Sequence, residues 1–200
     1  MNILKIFSML MFLVSCQSNT NLSKLILKED VDSLITDRND FYREDVEPAS
    51  GLASIYTYKI DGFSFGEYDL LDNSETAIAN KNSLTFYLEK PFQKSNNQIV
   101  GFFIKVNNSE STLFNVVENL YGKLEELSQK PTSTYEEILY GSESWLWKDQ
   151  EMTIIVSKSY GSRNDKQVID ESLYLVRNDV MERGNPNRTA ANRLIETFKN

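Results

Sequence analysis

Ile99-Val100-Gly101-Phe102-Phe103-Ile104-Lys105-Val106 is apolar at nearly every position. A run of that kind predicts a central strand covered on both sides, because neither alternating set of side chains is left for water. Upstream, Leu84, Phe86 and Leu88 alternate with Thr85, Tyr87 and Glu89, the pattern of a strand with one wet face. Pro91 and Ser95-Asn96-Asn97 make the connection between the two. Further back, Tyr56, Tyr58 and Ile60 share one face. Asp61-Gly62 is a turn signal, and Phe63, Phe65 and Tyr68 begin the second arm of a hairpin that Asp72-Asn73-Ser74 ends.

Downstream, Leu113, Val116, Val117, Leu120 and Tyr121 recur at helical spacing, with Gly122 as a stop. Leu124 and Leu127 prolong the stripe, so the helix is expected to run on to about Ser128 with a glycine fault. Ser133 with Glu136 fits the cap of a short second helix ending near Gly141. Trp145-Leu146-Trp147, a turn at Asp149-Gln150 and Met152 to Ser157 form a hairpin. Ser159 to Gln167 reads as a polar loop and Val168 to Arg177 as a strand. Asn185-Pro186 opens a last helix with Ala190, Leu194 and Phe198 on one face. The order of runs predicts an α+β fold, an antiparallel sheet with helices packed on one face, in a single domain over residues 22–200.

Composition narrows the chemistry. The chain has no histidine, which removes the usual general base, the Ser-His-Asp arrangement and metal sites built on imidazole. The 40% hydrophobic content, with 11 Phe, 10 Tyr and 2 Trp, supplies a packed core. Acids outnumber bases by 29 to 21, which argues against nucleic acid as a partner.

The N-terminus reads as a secretory signal. Lys5 precedes an apolar run from Ile6 to Val14, too short for a hydrocarbon core that needs about 20 helical residues. Leu13-Val14-Ser15-Cys16 then resembles the lipobox of bacterial lipoproteins, with the only cysteine of the chain at its end. That resemblance implies cleavage after residue 15, lipid on Cys16 and a protein anchored in the bacterial cell envelope. Gln17 stands where aspartate would imply inner-membrane retention, so the outer membrane is implied if the organism has one. Gln17 to Asn21 reads as a flexible tether. Without Lys5 the 21 basic residues become 20 against 29 acids, a net charge of −9. With Cys16 lipidated no disulfide forms.

Four groups invite a chemical reading. Gly62-Phe63-Ser64-Phe65-Gly66 matches the G-x-S-x-G of serine hydrolases, but no histidine can take the proton, and the residues that follow read as strand. Asp69, Asp72 and Glu75 could line an oxygen-ligand loop or form a glycosidase pair, but they lack the spacing of an EF-hand, and a solvated, turn-forming stretch is the expected reading. Lys158, Arg163 and Lys166 fit an anion site or plain surface. Trp145 and Trp147 share one strand face, as core or as a platform for sugar rings. The sequence therefore points to an envelope lipoprotein without catalytic residue, metal or cofactor. Its expected role is binding or assembly with a protein or cell-wall partner, the alternative being a glycan or small-ligand binder.

Overall fold

A computed structural model describes residues 19–35, 37–73, 77–93, 96–107, 112–129, 133–135 and 138–199. The lipobox, Gln17, Glu75 and Glu136 lie outside them. Among the described residues the order is β1 (Thr20–Asn21), β2 (Tyr42–Glu44), β3 (Ala53–Thr57), β4 (Phe63–Phe65), β5 (Tyr68–Asp69), β6 (Ser83–Leu88) and β7 (Ile99–Val106). Helix α1 (Thr112–Tyr121) follows. Then come β8 (Glu125–Gln129), β9 (Ser133–Tyr135), β10 (Ile138–Lys148), β11 (Met152–Arg163), β12 (Lys166–Arg177) and α2 (Ala190–Lys199).

The large sheet is antiparallel and runs β2-β3-β6-β7-β12-β11-β10-β8, with β9 pairing the start of β10. The apolar run at Ile99–Val106 is interior to it, as its composition requires. Phe102, Ile104 and Val106 join the core on one face, and Val100 and Phe103 pack on the other. The first face is covered by α1 through Leu113 and Val117, and by a small sheet of β1, β4 and β5 through Phe63 and Phe65. The second is covered by α2 through Ala190, Ala191 and Leu194, with Leu52 and Val180 beside it.

The helices thus lie on opposite faces, not on one, and the fold is mostly strand. Apolar residues on both faces of β6, β7, β11 and β12 leave two surfaces to cover, and each receives one helix. For the same reason β6 has no wet face within its span: Thr85 and Tyr87 are buried, and only Glu89 beyond it is exposed.

Several local expectations are corrected. Gly122, at φ +92°, ends α1 outright, and the following residues form β8. Ser133–Tyr135 is a strand, not a helix. The polar stretch after Ser157 continues β11 to Arg163 and turns at Asn164-Asp165, both at positive φ, before β12 starts at Lys166. That two-residue turn matches the right-handed twist of the strands it joins. The expected hairpin from Tyr56 to Phe65 does not form. β3 pairs with β2 and β6, while β4 pairs with β1 and β5. Thr20 and Asn21, read as tether, are paired with Phe63 and Ser64. The last helix begins at Ala190 with the Thr189 hydroxyl accepting from the Asn192 N–H, several residues after Asn185-Pro186.

Charge holds α2 down at one point. The nearly buried Glu182 carboxylate accepts from Arg188 and from Arg193, and Arg193 also donates to the Pro48 carbonyl at 2.7 Å. The Arg188 hydrogen bond, aided by Arg193, holds the Glu182 carboxyl below its ordinary value of 4.5. A depressed carboxyl stabilises the fold above its unfolded pKa and ceases to do so as pH falls through the folded one. Glu182→Ala is therefore expected to cost about 1.5–3 kcal/mol at neutral pH, since it removes a charged acceptor from two arginines that keep only Glu196 and the Pro48 carbonyl. The gap to the parent should shrink below about pH 4.5, as urea titrations at several pH values will show.

Candidate functional site

The groove of interest is built by α1 on one side and by β8 and β10 on the other. On α1, Leu113 and Val117 point into the core, and Val116 and Leu120 lie over Gly66 of the small sheet. Phe114 and Tyr121, seven residues apart, fall on the remaining side of the helix and meet the tryptophans of β10. Phe114 contacts Trp145 edge-on with ring centroids 4.7 Å apart, and Tyr121 meets Trp147 at 5.1 Å. Both tryptophans are half-buried against the core, so the face expected to be either core or platform is mostly spent on holding α1.

A row of charged residues runs beneath the start of that helix. Glu171 on β12, Lys158 on β11 and Glu143 on β10 stand opposite one another in register. Glu171 is fully buried, and its carboxylate accepts from the backbone N–H of Leu113 at 2.9 Å and of Phe114 at 3.3 Å. A carboxylate there satisfies helix-end donors and meets the positive end of the helix dipole. The Lys158 ammonium sits 4.4 Å from the Phe114 ring centroid and 5.1 Å from that of Trp145. Tyr160 donates to Glu143 at 2.9 Å, and burial together with that carboxylate pushes its phenol up to about 12.

Beside this framework opens a groove of about 770 Å³. Phe114, Trp145 and Leu124 supply its apolar lining, and Glu118, Glu125, Glu126 and Lys123 the polar part. The three glutamates are exposed, and none of them is in an ion pair among the described residues. An aromatic wall with surplus negative charge can hold a cation, since ring faces and carboxylates both attract one. A second cavity of about 560 Å³ lies between Leu25–Lys28, Gln150–Met152, Arg177 and Asp179. Its guanidinium is spent on Asp179 and on the Leu27 carbonyl.

The other residues singled out in sequence do not assemble. Ser64 is buried within β4, and the chain turns at Gly66 into β5 rather than into a helix. Asp69 accepts from Asn19, and Asp72 caps the Ile60 N–H; both are exposed. Lys158 lies on the α1 face of β11, whereas Arg163 pairs with Asp170 and stands opposite Lys166 at the hairpin tip, with its side chain on the other face.

Sequence reasoning also missed a surface cluster. Tyr42 stacks on Tyr56 with centroids 5.3 Å apart, and Tyr58 closes the group at 5.7 Å from Tyr56. The shared face of Tyr56 and Tyr58 was legible, but the pairing of β2 with β3 that adds Tyr42 was not. No protein-family model matches the chain, and no curated protein matches it in sequence.

Proposed function

We propose that this chain is a lipid-anchored protein of the bacterial cell envelope that binds a cationic partner and performs no chemistry of its own. The binding half of the reading is carried by one observation: exposed Glu118 and Glu126, in no ion pair among the described residues, flank Phe114 and Trp145, with Glu125 at the rim of the same groove. The net charge, −8 for the full chain and −9 without Lys5, adds a long-range field that draws cations to such a groove. Calorimetry with spermidine, a flexible polycation, tests it. Glu118→Gln with Glu126→Gln is expected to weaken binding about tenfold, the equivalent of about 1.4 kcal/mol. Equal affinity in the parent and the double variant would remove the groove from the account.

The anchoring half rests on Leu13-Val14-Ser15-Cys16. Thr20 is already paired with Phe63, so from Cys16 to the fold the chain can reach at most about 14 Å. An acylated Cys16 would hold the domain close against the bilayer. Cys16→Ser is expected to stop incorporation of labelled palmitate and processing of the precursor; equal label in mutant and parent would refute the anchor.

A second reading, stacking on a sugar ring, attaches to Tyr42, Tyr56 and Tyr58 rather than to Trp145 and Trp147. Tyr42 is 54% exposed and lies on the sheet edge, whereas each tryptophan already faces an α1 ring.

A further inference from the structure

We propose that the groove beside Trp145 takes an extended basic polypeptide segment, which adds as a strand to the free edge of β8. The inference rests on the groove being a cation site, and goes on to name the partner. β8 closes the path of the large sheet, and β8 and β9 both pair antiparallel with β10, as the two parts of one long hairpin arm. Among the described residues neither has another strand partner. The outward N–H and C=O groups of such an edge are a template for an incoming strand.

The same edge supplies Glu125 and Glu126 to the groove. An added strand would therefore run along the carboxylates, with its side chains alternating between the two faces of the sheet. On the α1 face they would reach Glu118 and Glu126, and a lysine or arginine there lays its stem over Trp145 and Phe114. On the other face they would lie beside the exposed Glu125, which stands opposite Leu146, and beside Leu127, which packs against the α2 cluster, so an apolar side chain suits the position next to Leu127. The recognised pattern is thus basic and apolar in alternation. A second copy of this chain is the wrong occupant. Two β8 edges side by side would set glutamate near glutamate, and like charges across a strand pair repel.

The test uses the full chain in detergent micelles and a synthetic hexapeptide of alternating Lys and Val. The peptide is expected to bind and to slow amide exchange across Glu125–Gln129 by at least tenfold. Two versions, N-methylated at the odd or at the even residues, keep the charge but block one set of N–H groups each. At least one should bind at least tenfold more weakly than the parent peptide. Full binding of both, or binding without protection in β8, overturns strand addition, as does a peptide that fails to bind while spermidine still does. Spermidine binding in the same preparation separates the two claims: if it persists the groove stands, and if it too is absent the cation site falls.

Discussion

Gly101→Ala is expected to abolish the folded state or to lower its stability by more than about 4 kcal/mol, at the far end of what one substitution does. Gly101 lies in β7 opposite Val176 of β12. A Cβ built there would stand 2.3 Å from the Leu175 carbonyl oxygen and 2.9 Å from the Val176 Cα. Both are backbone atoms of the neighbouring strand, so no side-chain rotation relieves the clash. Relief requires the two central strands to part, and with them the cores on both faces. Against a typical stability of about 5–15 kcal/mol that is a large loss. Gly161, with open space where its Cβ would go, is the control: Gly161→Ala should shift the urea midpoint little.

Glu171→Ala is expected to cost about 3–5 kcal/mol and to loosen α1. It removes the acceptor for the Leu113 and Phe114 N–H groups and the carboxylate that faces Lys158 in a buried row. Glu171→Gln keeps the shape and one acceptor oxygen, and should recover part of the loss. Because α1 carries Phe114 and Glu118, the alanine variant should also bind spermidine more weakly, whereas Gly161→Ala should not.

What the sequence revealed and concealed follows from how each signal arises. Ile99–Val106, Trp145–Trp147 and Met152–Ser157 were legible as strands because burial on one or both faces writes itself into composition. The outer ends of β11 and β12 were not. Ser159, Ser162, Lys166 and Gln167 are exposed there, and a strand that buries little shows no apolar alternation. Leu124 and Leu127 imitated a helical stripe because one just precedes β8 and the other lies within it, and their side chains serve opposite cores. The site was half visible. The shared face of the tryptophans followed from period two, but the gathering of Glu118 with Glu125 and Glu126 depends on the chain reversing at Gly122 into β8. Likewise nothing in the sequence pattern joins Glu171 to the start of α1, which lies 58 residues away.

The most direct test of cation binding in the groove reads Trp145 alone. In Trp147→Phe, Trp145 is the only tryptophan and lines the groove itself. Spermidine at low ionic strength is expected to change its emission to a saturable limit. The change should vanish in about 1 M salt, where the screening length falls to about 3 Å. It should also vanish in Glu126→Lys on the same background. Emission that ignores spermidine, or that responds equally with Glu126 reversed in charge, would contradict the account.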